Sequence, residues 1–138
     1  QILSHSRRNS TIEGRMMYGK TVLVAEDNVI NAEVIIKLLE MNGVHSELAR
    51  DGEEALKIYE SSGPYHFQAI LMDVMMPIMD GLEAARAIRA CSLQDAATIP
   101  IVALTADTDP ANEQKCFDAG MSACLRKPTA GLWTSFPM

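Results

Sequence analysis

The stretch Ala69–Gly81, AILMDVMMPIMDG, places one carboxylate, Asp73, within a run of apolar residues. A continuous apolar run of this length is typical of a strand that is covered on both faces of a parallel sheet. An ionised aspartate at the end of such a strand is costly unless neighbouring groups compensate its charge. The stretch therefore predicts a buried strand and directs attention to the groups that lie beside Asp73.

The rest of the chain repeats this pattern, because five short runs rich in Val, Ile and Leu alternate with helical patterns. This alternation indicates a parallel α/β sheet. Since crossover connections in such sheets are right-handed, we predict a doubly wound sheet in a three-layer sandwich. The predicted strands are Thr21–Ala25, Val44–Ala49, Phe67–Met72, Ile99–Leu104 and Ser122–Leu125.

The segments between the predicted strands carry helix signals. The first has apolar residues at helical spacing and ends at Gly43. Asp51 is the expected N-cap of the second helix, and Pro110 is expected in the first turn of the last. The apolar residues of the first helix are Ile30, Val34, Leu38 and Met41.

Polar residues follow four of the predicted strands, at the edge where doubly wound sheets bind ligands. Carboxylates from two strands form an oxygen-rich site that suits Mg²⁺. A lysine and a threonine hydroxyl can bind phosphoryl oxygens, and an aspartate can accept a phosphoryl group as an acyl phosphate. These residues are Glu26, Asp27, Asp73, Thr105 and Lys127.

The motifs VLVAEDN, LMDVMMPIMDG, ALTA and LRKP, in this order, resemble the receiver domain of two-component response regulators over about residues 20 to 128. The resemblance implies a flavodoxin-like fold with strand order 2-1-3-4-5. It also implies phosphorylation by a histidine kinase or a histidine phosphotransfer protein, in a reaction that the domain itself catalyses, together with its dephosphorylation. The segments DNVIN and LLEMNGV are similar to receivers of hybrid sensor histidine kinases, in which the domain would be part of a kinase polypeptide.

By the same resemblance, Asp73 would be the phosphoacceptor. Asp27 would bind Mg²⁺ directly and Glu26 through water, with Asp73 and the carbonyl of Met75 completing the protein ligands. Thr105 and Lys127 would hold the phosphoryl oxygens.

Two further pairs of positions follow from this assignment. Met75 and Asp107 each lie two residues beyond a site residue, where they would flank the path of an attacking water and tune dephosphorylation. Thr105 and Cys124 occupy the switch positions of the family. Because family members usually carry Tyr or Phe where this chain has Cys124, the aromatic half of the usual switch is in question.

The two ends of the chain differ from the predicted domain, residues 16–128. Residues 1–15 end in Ile-Glu-Gly-Arg, a recognition sequence used to remove expression tags, so we interpret them as tag or linker sequence. A native arm is the alternative. Residues 129–138 lack a helical stripe, so the fifth helix of the family is predicted to be missing. The apolar face that this would uncover suggests a homodimer.

Charge and composition exclude several classes of function. The net charge is −6, which argues against a nucleic-acid surface. Without residues 1–15, which carry a net +2, it is −8. The chain has no apolar run of the length that spans a membrane. Its three cysteines form no C-x-x-C pair, which is typical of reduced thiols in a cytoplasmic protein.

Three other functions are weighed against phosphoacceptance. A phosphatase of the haloacid type needs a second aspartate two residues after the nucleophile, where this chain has Met75. A dinucleotide-binding domain would need G-x-G-x-x-G after the first strand, and this motif is absent. A receiver that binds partners but no longer accepts phosphate stays open, because Cys124 and the predicted loss of the fifth helix favour it.

Overall fold

The structure is a computed structural model that describes residues 17–127. The predicted tag sequence, the predicted tail and the expected absence of a fifth helix lie outside the described residues. The predicted dimer contact involves the same terminal segments, so it also stays a prediction.

The centre of the described domain is a sheet of five parallel strands in the order β2-β1-β3-β4-β5. This confirms the doubly wound topology expected from the alternating pattern. The first strand has the predicted bounds, whereas the third and fourth begin two residues later than predicted and end one residue later. The strands are β1 (Thr21–Ala25), β2 (His45–Ala49), β3 (Ala69–Asp73), β4 (Ile101–Thr105) and β5 (Ala123–Arg126).

Four helices connect the strands within the described range, and their starts follow from local chemistry. Asp51, Asp80 and Asp109 cap the second, third and fourth helices by accepting a backbone N–H from the first turn. Pro110 stands in the first turn of the fourth helix, as predicted. The helices are α1 (Val29–Met41), α2 (Gly52–Ser62), α3 (Gly81–Ala90) and α4 (Pro110–Asp118).

The sheet separates two apolar cores, one on each face. Helices α2, α3 and α4 cover one face, where Ala55, Ile88 and Cys116 are among the buried residues. Helix α1 covers part of the other face through Ile35 and Leu39. All residues of β3 and β4 are buried, as expected for central strands covered on both sides.

The apolar spacing that predicted α1 does not mark its buried face. Ile30 and Met41 are each 72% exposed, whereas Ala32, Ile35 and Leu39 face the sheet. The helix is apolar on most of its circumference, so periodicity indicated a helix without fixing which stripe is buried.

No helix among residues 17–127 combines the length and the apolar character needed to cross a bilayer.

Candidate functional site

The carboxyl ends of the strands bring the predicted residues to one edge of the sheet. Asp73 ends β3 opposite Leu104 of β4, and the backbone N–H of Lys127 donates to the carbonyl oxygen of Thr105 at 2.8 Å. Glu26 directly follows β1, where its backbone N–H extends the pairing with β2. The parallel register therefore sets the positions of these residues before any side-chain contact is considered.

Asp73 is buried, with 3% of its surface exposed. Its Oδ2 lies 2.9 Å from Lys127 Nζ, and its Oδ1 accepts the backbone N–H of Met75 at 3.2 Å. Each oxygen thus has one partner and keeps lone pairs free, because a carboxylate has about four acceptor sites. The charge of the aspartate at the end of the apolar strand is compensated by the ammonium group.

Glu26 is the second buried carboxylate of the site, with 1% of its surface exposed. Its Oε2 accepts the backbone N–H of Asn28 at 3.1 Å. Its Oε1 lies 3.0 Å from Lys127 Nζ, but no donor among the described residues makes a well-aligned hydrogen bond to it. Burial raises the pKa of Glu26 above its ordinary value, and the neighbouring Asp73 adds to this rise while Lys127 opposes it.

Lys127 bridges the two buried carboxylates, with its side chain half-buried. Burial acts to lower the pKa of its ammonium group, but the hydrogen bonds and charges of Asp73 and Glu26 outweigh burial, so the pKa is raised. The lysine is therefore positively charged, and its charge is directed at Asp73.

The carboxylates of this edge fit a divalent cation. Oxygen atoms of Glu26, Asp27 and Asp73 lie within 4.8 Å of one another. Three carboxylates share one ammonium here, and a divalent ion would offset the excess of negative charge. Oxygen ligands with open access to water are the environment that Mg²⁺ prefers. The Oε1 atom of Glu26, buried without an aligned donor, is the observation that supports such a site.

Thr105 stands at the predicted place, but its hydroxyl is not joined to Asp73 by a hydrogen bond in the described structure. The Oγ1 atom accepts the backbone N–H of Asp107 at 3.1 Å and the side-chain amide of Asn112 at 3.2 Å. It also donates to the carbonyl of Asp107 at 3.1 Å. Asn112 was missed at the sequence level. Its position in the first turn after the N-cap Asp109 was the available signal, because such residues can reach the loop before the helix.

The remaining predicted residues lie around this site. Met75 is 77% exposed, and Asp107 is exposed with its Oδ1 accepting the backbone N–H of Asp109 at 3.0 Å. Cys124 lies half-buried on β5 against the core beneath α4. Burial, followed by the adjacent thiol of Cys116, raises the pKa of Cys124 to about 12, so this thiol is protonated at neutral pH.

Two glycines allow the helices to approach the site closely. A Cβ at Gly81 would lie 2.2 Å from the carbonyl oxygen of Asp73, and a Cβ at Gly52 would lie 2.3 Å from that of Met79. Because real Cβ atoms do not approach backbone oxygens so closely, both Asp-Gly pairs, Asp51-Gly52 and Asp80-Gly81, are needed to start their helices here.

Comparisons with known proteins agree with this geometry. The family model described as the response regulator receiver domain matches residues 22–131. The chain is 39% identical over 119 residues to the hybrid signal transduction histidine kinase I of Dictyostelium discoideum. The aligned segment covers 85% of this chain and 7% of the relative. The chain spans 5% to 13% of the length of eight curated relatives that it matches.

Two solved structures share the fold. The receiver domain of the sensor histidine kinase PA1611 of Pseudomonas aeruginosa, described with a magnesium ion in its active-site cleft, is 36% identical with a TM-score of 0.74, covering 84% of this chain and 93% of that one. A co-crystal structure of Saccharomyces cerevisiae Ypd1, a histidine phosphotransfer signalling protein, with the receiver domain of Ssk1 matches at 32% identity and a TM-score of 0.69, covering 79% of each chain.

Proposed function

The chain belongs to the response regulator receiver domain family, a component of phosphorelay systems, and we propose that it accepts a phosphoryl group from a phosphohistidine on Asp73. The observation that carries this proposal is the buried carboxylate of Asp73 with Lys127 Nζ 2.9 Å from its Oδ2. A lysine in this position can neutralise charge on a phosphoryl group as it is transferred.

The transfer forms a bond between a carboxylate oxygen of Asp73 and phosphorus while the bond from phosphorus to the donor imidazole nitrogen breaks. The imidazole leaves as a neutral group after it takes up a proton, and Asp73 carries an acyl phosphate. Lys127 is placed to bind the phosphoryl oxygens during the transfer, since its ammonium already contacts Asp73. Thr105 would supply a hydrogen bond once its hydroxyl turns from Asp107 and Asn112.

Glu26, Asp27 and Asp73 would hold Mg²⁺ with the carbonyl of Met75, because the three carboxylates converge and Oε1 of Glu26 lacks an aligned donor. The ion would supply positive charge against the phosphoryl oxygens. Met75 and Asp107 would flank the approach of water and so set the lifetime of the acyl phosphate.

A histidine kinase or a histidine phosphotransfer protein is the proposed donor. The support is that a related receiver domain was crystallised with a histidine phosphotransfer protein, and that histidine kinases are among the relatives. We propose that the reaction occurs in the cytoplasm, in keeping with three free cysteines. The acidic net charge of −6 disfavours contact with nucleic acids through this domain.

The direct test is incubation with Mg²⁺ and acetyl phosphate, followed by mass spectrometry to locate an acid-labile modification. We expect labelling of Asp73 that requires Mg²⁺ and disappears in Asp73→Asn, because the amide is not a nucleophile. Asp51→Asn is the matched control: Asp51 caps α2, and asparagine caps helices equally well, so this variant should be labelled normally. Full labelling of Asp73→Asn would refute the assignment, and a wild-type chain without label would favour the binding-only receiver.

A further inference from the structure

The hydroxyl of Thr105 is fully engaged in the structure. A threonine hydroxyl has one donor and two acceptor positions, and all are used by the backbone of Asp107 and the side chain of Asn112. Thr105 is also buried, so solvent does not replace these partners easily. A phosphoryl oxygen on Asp73 would accept the hydroxyl's one donor, which is now given to the carbonyl of Asp107. Turning the side chain to deliver that donor also carries Oγ1 away from the amide of Asn112.

Asn112 is held in place independently of Thr105. Its backbone N–H donates to Oδ1 of Asp109, the N-cap of α4, at 2.9 Å. Its side-chain amide donates both to Thr105 Oγ1 and to the carbonyl of Asp107. Asp109 is in turn fixed by Oδ1 of Asp107. From the start of the helix, the amide of Asn112 is thus directed at the end of β4 and the loop that follows it.

We propose that Asn112 is a positioning residue that latches the Thr105 hydroxyl towards α4 and so disfavours the phosphorylated form of the domain. The inference rests on the proposed function, because the competing partner of Thr105 is a phosphoryl group on Asp73. A contact made only in the unmodified state shifts the equilibrium towards that state by its own free energy. Removing the contact shifts it back.

A purely structural role for Asn112 makes a different prediction. The cap of α4 is provided by the side chain of Asp109 and the backbone of Asn112, so replacing the side chain of Asn112 leaves the cap intact. A structural role would lower stability and weaken ligand binding. If Asn112 acts as the latch, replacing it strengthens binding of a phosphoryl analogue, and does so only when Thr105 has its hydroxyl.

The experiment is titration of the full chain with beryllofluoride, a tetrahedral phosphoryl analogue, in the presence of Mg²⁺, followed by calorimetry. Asn112→Ala should bind about fivefold more tightly than wild type, the gain that corresponds to one neutral hydrogen bond. Gln114→Ala is the matched control, since Gln114 lies on the same helix and bonds only Asp118 on the surface among the described residues, at 2.8 Å. Its affinity should be unchanged.

A double variant isolates the coupling. In a Thr105→Ala background, Asn112→Ala should not change the affinity for beryllofluoride, because the latched hydroxyl is gone. Asn112→Leu, which is similar in size but forms no side-chain hydrogen bond, replaces Asn112→Ala if the latter does not fold. Equal or weaker binding by Asn112→Ala, or an equal gain without Thr105, overturns the latch alone. A wild-type chain that binds no beryllofluoride overturns the proposed function and the latch together.

Discussion

The domain buries two aspartates at opposite ends of its sheet, and their surroundings differ. Asp73 ends β3 at the carboxyl edge, whereas Asp95 lies in the loop before β4, at the amino edge. The two are almost equally buried, at 3% and 4% exposed. Burial alone therefore does not distinguish them, and the difference lies in the charge of the groups around them.

Each oxygen of Asp95 has one partner, as in Asp73, but both partners are neutral donors. Its Oδ1 accepts the hydroxyl of the buried Tyr59, and its Oδ2 accepts the backbone N–H of Tyr65 at 3.0 Å. Nearby, Arg89 donates to the carbonyls of Gly120 and Ala96 at 2.8 and 2.9 Å. This arrangement ties loops at the amino edge to α2 and α3.

The environment of Asp73 is charged and incompletely satisfied. A second buried carboxylate, Glu26, stands beside it, one ammonium serves both, and an oxygen of Glu26 has no aligned donor in the described residues. The comparison teaches that a buried carboxylate held by neutral donors fastens a fold, whereas one that shares a single ammonium with a second buried carboxylate is available for a ligand.

The largest expected effect is on stability at the amino edge. Asp95→Asn should lower the free energy of unfolding by about 2 kcal/mol, because the hydrogen bonds that Tyr59 and Tyr65 donate to a carboxylate become weaker bonds to a neutral amide. Asp73→Asn should cost less than about 1 kcal/mol, since it also removes repulsion from Glu26. Urea denaturation without Mg²⁺ measures both, and equal losses would contradict the comparison.

The carboxyl edge should instead respond to metal. Mg²⁺ at ten times its dissociation constant should raise the free energy of unfolding of the wild type by about 1.4 kcal/mol. In Asp27→Asn this gain should shrink at the same Mg²⁺ concentration, while stability without Mg²⁺ should stay equal or rise because clustered carboxylates repel. Asp109→Asn, which alters an exposed helix cap outside the cluster, is the control. An undiminished Mg²⁺ response in Asp27→Asn would exclude this residue as a ligand.

The sequence predicted the carboxyl edge far better than the amino edge. Parallel strands bring their ends together, so residues that follow strands could be placed at one edge before any contact was known. Asp95 stands in the loop segment SLQDAATIP, and its partner Tyr59 is 36 positions away on α2. No local pattern links such a pair, because the contact arises only from how the loop packs against the helix.

Helix α1 and the hydroxyl of Thr105 show the same limit of prediction from sequence. Apolar spacing predicted α1 but not that Ile30 faces solvent, since a helix with apolar residues all round has no single buried side from sequence alone. Thr105 was predicted at its strand end, but the direction of its hydroxyl depends on Asn112 and the loop geometry. Strand ends follow from topology, whereas side-chain orientation follows from packing.

Backbone strain gives a further test of the contrast between the two edges of the sheet, with a smaller expected change in stability. The two residues other than glycine with positive φ in the described range are Tyr65, at 65°, and Ile78, at 71°. Tyr65 uses this conformation to present its N–H to Asp95, whereas Ile78 is 77% exposed in the loop after Asp73. Because a β-branched residue is disfavoured there and asparagine is tolerated, Ile78→Asn should raise the free energy of unfolding by about 1 kcal/mol. Thermal unfolding checks this, and a loss of stability would show that the side chain of Ile78 makes contacts that outweigh the strain.

The smallest expected effect is on the lifetime of the acyl phosphate. Met75 is exposed beside Asp73, and its thioether gives little help in orienting a water for attack. Met75→Asn places an amide there, which can hold the water by a hydrogen bond, so the phosphoryl group should decay a few-fold faster. Decay is measured after labelling with acetyl phosphate and removal of the donor.

Met41→Asn is the control for this measurement, because Met41 is similarly exposed at 72% but ends α1 outside the site. Its decay rate should equal that of the wild type. If Met75→Asn also leaves the rate unchanged, water does not approach past residue 75, and Asp107 on the opposite loop becomes the residue that limits its access. The two outcomes thus assign the water path to one side of Asp73 or the other.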